Sequence, residues 1–484
     1  MGLAPLFVLD SRFPQVDVLG ALSEEFSLEW GAPESGRSTY FDTFDWRLFR
    51  AGLQFSARRH RSSVDLTLDG PDGKPLTGKA SRLPTFGKLL PPGPLRNRIE
   101  PITRTRRLLP LGHLHWTIQR AGVKDEDGIR IASVELRTGE ARGPASRKTY
   151  PLPATLHLLP VKGHGKAARK VSTFLWRSFR LPRSRGGELE RVMGTLGRTP
   201  GLDPSSTDIT LDPEMEATAA AKVIHSALLS VMKANEGGLL RDLDPEFLHD
   251  FRVAIRKTRS GLGQVKGVFP RQARMHFQRE FRWLGDRTGP TRDMDVYLQK
   301  IPGYQEALPG GVNDELLPLV EFLERRKRRD HNRLTRALRS KRYARLMEDW
   351  REFLAEPALT GVPPANATRP ILEVASERTW KVFGKVLNSG KAAGRDAPAK
   401  ALHRLRINCK RLRYLLSFFR SLFPPEDMKP LLKELKRLQD VLGDFNDIQV
   451  QQVFLRQFAE EMMYAGLAPP ETFLAMGRLM GQLE

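Results

Sequence analysis

Two hydrophobic periods divide this chain. Up to about residue 180 the apolar positions fall in short alternating or β-prone runs: Thr39–Asp42, Leu53–Arg59, Val64–Leu68, Leu114–Arg120 and Ile129–Leu136. Turn material such as Asp69-Gly70-Pro71-Asp72-Gly73 separates them. Period-two alternation places every second side chain on a face that can be buried, so these runs predict strands. Asp125–Gly128 is a turn signal between the last two runs and predicts a hairpin there. Val171–Phe179 fits a closing helix or a strand; its periodicity does not choose between them.

From about residue 213 onwards the period becomes helical. Glu214–Lys233, Pro245–Phe269, Arg271–Asp286, Glu315–Trp350, Ile371–Leu387, Pro398–Phe423, Met428–Leu442 and Ile448–Ala465 all carry it. Asp244-Pro245-Glu246 supplies an N-cap, a proline for the first helical position and an acid near the positive end of the helix dipole. Phe269-Pro270 and Phe423-Pro424-Pro425 end two of the helices. Residues 181–212 are rich in Gly, Pro and Ser and are expected to form an interdomain linker with room for one short helical turn.

The helical part repeats itself. Leu248–Arg259 (LHDFRVAIRKTR) returns as Leu402–Arg413 (LHRLRINCKRLR), an offset of 154 residues. His249, Arg252, Arg256 and Arg259 become His403, Arg406, Lys410 and Arg413. Without a gap, Arg279, Glu280, Arg282, Leu284 and Asp286 then match Lys433, Glu434, Lys436, Leu438 and Asp440, and Gly289, Asp293 and Val296 match Gly443, Asp447 and Val450. So long a shared spacing is an internal repeat. The i, i+3, i+7, i+10 spacing puts one histidine and three cations in a stripe on each helix. Leu248, Phe251, Ile255 and Leu262, like Leu402, Leu405, Cys409, Leu412 and Leu416, fall on another face suited to a core. Two related helical halves about a pseudo-twofold axis are expected.

Charge sharpens this. The formal net charge is +23 and the pI about 10.3 over 484 residues. That excess calls for a polyanionic partner: nucleic acid, a phosphate polymer or an acidic membrane. The chain is long enough for two to four domains. The one cysteine, Cys409, rules out a disulfide framework or a Cys-rich zinc site. The opening residues lack a signal-peptide pattern, and no run of about 18 apolar residues exists, so a cytoplasmic protein without a membrane span is expected. Against nucleic acid, only 8% of residues are aromatic, and Phe281, Trp283 and Tyr414 sit at apolar helical spacings that suggest core instead of stacking platforms.

Two family resemblances follow from these residues. Ser38–Arg59 (STYFDTFDWRLFRAGLQFSARR), with 65–71, 131–136 and 160–166 at the later strands, resembles the CYTH or triphosphate tunnel metalloenzyme family over about residues 1–185. The resemblance implies an eight-stranded antiparallel barrel holding a triphosphate and a divalent metal. Catalysis in that family needs paired glutamates in the opening strand. Here Asp10 and Arg12 stand in LFVLDSRF without them, Glu135 remains between Ser133 and Arg137, and Asp69 replaces a lysine. A depleted carboxylate set cannot hold Mg²⁺ or Mn²⁺ well. The barrel therefore reads as degenerate, no cofactor is expected, and a metal-dependent triphosphatase is the alternative. Arg58, Arg59, Lys162, Lys166 and Arg169 are either lumen cations or solvent-facing charges.

The repeated HxxRxxxK/R helix, with Leu284–Asp293 and Leu438–Asp447 following at constant distance, resembles the CHAD domain. That resemblance implies an α-helical fold binding inorganic polyphosphate in a basic groove between two halves. A phosphate chain offers only charged oxygens, which aligned Lys and Arg recognise through short charge-assisted hydrogen bonds. The candidate ligands are His249, Arg252, Arg256, Lys257, Arg259, Arg279, Arg282, His403, Arg406, Lys410, Arg411, Arg413, Lys433, Lys436 and Arg437. Asp286, Asp293, Asp440 and Asp447 are expected to pair with and orient some of these cations. The basic run Glu324–Arg345 is a solvated face or an extra anion wall. The expected fold class is α+β multidomain: a CYTH-like antiparallel barrel (1–180), a linker (181–212) and an all-α two-repeat bundle (213–484). Its expected function is non-catalytic polyphosphate binding, with association at polyphosphate granules. A nonspecific nucleic-acid binder is the second alternative.

Overall fold

The computed structural model describes residues 6–9, 15–124, 127–161, 164–181, 186–308, 313–356, 362–394 and 398–482, with backbone alone at 6, 15, 16, 160, 165, 167, 168, 313, 399 and 444–449. Asp10, Arg12 and Lys162, and the side chain of Asp447, lie outside the described residues. The chain forms two compact units, Met1–Asp203 and Pro204–Glu484.

The N-terminal unit is an antiparallel sheet of nine strands: β1 (Leu6–Val8), β2 (Ser27–Trp30), β3 (Glu34–Asp42), β4 (Gln54–Arg59), β5 (Val64–Asp69), β6 (Leu76–Ala80), β7 (Leu109–Lys124), β8 (Arg130–Arg142) and β9 (Thr149–Pro160). Their order is β1-β9-β8-β7-β3-β4-β5-β6, with β2 alongside β7. The anticipated hairpin is β7–β8, with Ala121 opposite Val134. The helices are α1 (Gln15–Glu25), α2 (Arg47–Arg50), α3 (Pro94–Thr103), α4 (Gly165–Phe179) and α5 (Glu188–Thr195). Val171–Phe179 is thus helical, and its Val171 and Leu175 join the core formed with Phe7, Val123, Val134 and Leu156. The Tyr40-Phe41-Asp42-Thr43 stretch has a structural task. The buried Asp42 carboxylate accepts from the backbone N–H of Thr43, Leu48 (2.9 Å) and Phe49 (2.8 Å), fixing the turn into α2.

Residues 181–212 differ from the linker expected there. α5 lies inside that span, and its Leu189, Val192 and Met193 are buried with Tyr40, Trp46, Leu111 and Leu114. Three apolar residues at i, i+3, i+4 are enough for one core-facing stripe. The flanking Gly and Pro hid it in the composition.

The helical unit comprises α6 (Ala217–Leu240), α7 (Pro245–Gln264), α8 (Arg271–Ala307), α9 (Leu317–Leu338), α10 (Lys341–Ala355), α11 (Ile371–Lys391), α12 (Ala399–Phe418), α13 (Pro425–Tyr464) and α14 (Pro470–Gln482). Asp244 caps α7 as the sequence indicates, accepting from the N–H of Glu246 at 2.9 Å. The single helix expected over Glu315–Trp350 is broken at Ser340, whose hydroxyl caps α10 by accepting from Tyr343 N. The two expected over 428–465 are one, and α8 runs through Pro290 and Pro302. α14 was not anticipated. The C-terminal halves of α8 and α13 pack with α9 and α14 around Tyr297, Ile301, Leu319, Phe458 and Met476. Their N-terminal halves flank α7 and α12, which pack against each other.

Candidate functional site

In the helical unit a groove of about 950 Å³ opens between α7, α8, α11 and α12. Its lining includes ten cations, Arg256, Arg259, Lys266, Arg279, Arg282, Arg378, Lys381, Lys385, Lys410 and Arg411, and no Asp or Glu. The remainder are polar or small side chains with Val382, Ile407 and Tyr414. Among the described residues no carboxylate lies within ion-pair distance of Arg256, Arg259, Arg282, Lys381, Lys385 or Arg411. Cations crowded on one concave wall raise the local potential and repel one another until an anion enters.

Six of the fifteen candidate ligands meet here: Arg256, Arg259, Arg279, Arg282, Lys410 and Arg411. Arg256 and Lys410 are each other's equivalents across the repeat, and both line the groove. The other nine do not line it. Arg252 is tied to α8, donating to Thr288 Oγ1 at 2.8 Å and Gly285 O at 3.3 Å. Burial and the Arg256 charge push its pKa down to about 10, against the attraction of Asp293 and Asp286. Arg406 occupies the same place in the second half. A Cβ on Gly443 would lie 3.7 Å from its guanidinium, and one on Gly289 would lie 3.6 Å from that of Arg252. His249 is half-buried at the start of α7, its pKa lowered by burial and then by Arg292. His403 is exposed on α12. Lys433, Lys436 and Arg437 are exposed on α13.

Lys257 and Arg413 belong to a second cationic face, related to the groove by the repeat, since their equivalents Arg411 and Arg259 line the groove. This face is covered. Lys257 Nζ donates to Thr207 Oγ1 at 2.9 Å, Asn235 Nδ2 to Ser205 Oγ at 3.0 Å, and Leu211 N to Ser421 Oγ at 3.0 Å. Burial, then Arg413, lowers the Lys257 pKa, while Asp208 partly offsets them. Where α11 presents Arg378, Lys381 and Lys385, α6 carries Ile224, Ala227 and Val231. The repeat thus builds two faces, and the chain leaves one open. The α11 cations escape a search based on the repeat because they have no repeated counterpart. Their i, i+3, i+7 spacing was the available signal. Tyr414, expected in the core, is half-buried in the groove wall.

The N-terminal sheet curves around a second cavity, about 580 Å³, lined from β3 to β8 and by Glu188 of α5. Arg58 lies in it, stacked 4.5 Å over Trp116. Asp69 and Arg137 also line it. Arg59 and the α4 residues Lys166 and Arg169 are exposed and do not. Arg137 pairs with Glu135 and, at 3.6 Å, with Glu188, which also accepts from Tyr40 Oη. Burial raises the Glu135 pKa, but Arg137 and Arg120 outweigh it and hold the carboxyl below its usual range. Among the described residues no three His, Cys, Asp or Glu side chains converge on a metal position. Nor is any helix long and apolar enough to cross a membrane.

An uncharacterized protein of Mycobacterium tuberculosis H37Rv is 28% identical over 299 residues, 60% of this chain and 53% of that protein. The chain thus spans about half the length of the curated relatives it matches. The solved CHAD domain of the plant Ricinus communis is 26% identical, with a TM-score of 0.48, covering 57% of this chain and 90% of that one. A Hippeastrum protein described as having a dominant triphosphatase activity is 12% identical with a TM-score of 0.26, covering 40% of this chain and 95% of that one. The CHAD domain model matches residues 224–456, which span α7, α8, α11 and α12 and hold every groove residue, so the helical unit of this protein is a CHAD domain.

Proposed function

We propose that the groove binds inorganic polyphosphate, without catalysis, and that this is the protein's main role. The observation that carries the reading is a concave wall of ten Lys and Arg, nine from four helices and Lys266 from the turn after α7, with no carboxylate among its lining residues. A linear phosphate polymer presents charged oxygens along its whole length, so successive phosphates can share such a wall through charge-assisted bonds. The CHAD family match supports a polyphosphate-related role. Retention at polyphosphate granules would follow from such binding. Nucleic acid is the competing polyanion. Of its stacking requirements the groove supplies only Tyr414, which is half-buried.

The test is a titration of labelled long-chain polyphosphate at roughly physiological salt, with unlabelled RNA and DNA as competitors. Arg256→Glu with Lys381→Glu is compared with Arg328→Glu and Arg329→Glu on α9. The proposal expects the groove pair to abolish tight binding and the α9 pair to weaken it only modestly. Equal losses, or displacement by RNA at equal phosphate, would overturn it.

A further inference from the structure

The two halves of the helical unit differ in one respect that the repeat makes visible. In the first half, α10 lies across both α6 and α8. Its Trp350 meets Phe277 and Phe281 at 4.4 and 5.5 Å between ring centroids. Its Phe353 meets Phe277 at 5.3 Å. In its first turn Arg342 pairs with Glu280 at 2.8 Å and stacks 4.3 Å over Trp283. On the α6 side, His225 contacts Trp350 and Glu236 accepts from Tyr343 Oη at 2.8 Å.

The second half has the floor of this arrangement without its cover. α11 and α13 are the repeats of α6 and α8, and among the described residues no helix other than α12, the repeat of α7, packs on both. Phe277 is 5% exposed, but its equivalent Leu431 is 42% exposed; Leu284 is 0% exposed, but Leu438 is 39%. On α11 the i, i+3, i+7 positions Trp380, Phe383 and Leu387 form one face, opposite the groove cations Arg378, Lys381 and Lys385. Trp380 is 72% exposed and meets Phe383 edge-on at 5.7 Å. The α6 residues at these positions are Ser226, Leu229 and Lys233. At these three positions the uncovered helix carries the larger apolar side chains, the reverse of what solvent exposure favours. Glu434 stands where Glu280 binds the arginine of the covering helix.

We propose that the α11–α13 face is a docking site for an amphipathic helix of a partner protein. The helix carries an aromatic pair at i, i+3 and a basic first turn, as α10 does. Its aromatics cover the exposed Trp380, Leu387, Leu431 and Leu438, and its basic turn meets Glu434. This is helix-in-groove recognition, with the fit specified by the first half of the same domain. It does not depend on what the cationic groove binds.

A fluorescein-labelled peptide of residues 339–356 serves as the probe, titrated into the full chain and read by anisotropy. Saturable micromolar binding is expected. It should weaken at least tenfold in Leu438→Glu and separately in Trp380→Ser, and remain unchanged in Arg328→Glu on α9. Both altered residues are exposed, and circular dichroism of each variant confirms its fold; either alone suffices if the other misfolds. No saturation at millimolar peptide, or equal binding by all variants, overturns the proposal. So does sedimentation showing a dimer that Trp380→Ser dissociates, which would assign the face to a second copy of this chain.

Discussion

The guanidinium of Arg252 donates to Thr288 Oγ1 at 2.8 Å, two residues before a proline inside α8. Pro290 removes a helical N–H and crowds the preceding turn, a cost of about 3 kcal/mol in an ordinary helix. Arg252 also donates to Gly285 O, so the basic stripe of α7 braces α8 near that break. The arginine of the HxxR pattern is thus a clasp between helices, and only the cations one or two turns further along reach the groove.

Arg252→Ala should therefore destabilise the helical unit by about 1.5–3 kcal/mol, the range for hydrogen bonds involving a charged group. Urea unfolding followed by circular dichroism measures this. Unchanged stability would mean the clasp contributes nothing.

The α11 cations provide the sharpest test of the groove's limits. Removing Arg378, Lys381 and Lys385 together by alanine substitution should weaken polyphosphate binding about tenfold or more, or 1.4 kcal/mol. The same treatment of Lys433, Lys436 and Arg437 on α13 should change it by less than about threefold. Calorimetric titration of the two triple variants separates the groove seen in the structure from the site the repeat alone suggested.

His225 makes folding sensitive to acid. Burial lowers its pKa from 6.5 to about 3, and its ring packs between Phe269 and Trp350. A depressed folded pKa means the unfolded chain binds the proton first. Stability is full above pH 6.5 and falls as the pH drops from there towards 3. Between pH 7 and pH 5 this one residue should cost about 2 kcal/mol. The loss should disappear in His225→Asn, measured as the difference between the two proteins' urea midpoints at each pH.

Met193→Ala tests the reassigned segment. The side chain is fully buried beside Tyr40 and Trp46, so truncation should cost the N-terminal unit about 2–5 kcal/mol. A true linker residue would show no effect in a thermal melt of the full chain.

Much of this was legible along the chain. Period two and period 3.6 separate the sheet from the helices because side chains alternate across a strand and recur every third or fourth residue on a helix. The 154-residue offset of His249 and His403 declares two related halves, and the charge of +23 marks a strongly basic chain. Local chemistry also fixed the Asp244 cap.

The sequence could not show which cations share a space. Lys257 and Arg411 are equivalent by repeat and nearly equivalent in chemistry, yet one is bonded to Thr207 and the other faces the groove. That difference arises because the segment containing Ser205, Thr207 and Leu211 packs on one face only, a long-range contact with no period to reveal it. Arg378, Lys381 and Lys385 enter the site for the same kind of reason: α11 lies beside α12, and its cationic side points inward. Composition and spacing determined that this protein would carry paired cationic helices. Only packing, which brings distant segments together and buries some charges under others, decided which of them line the groove.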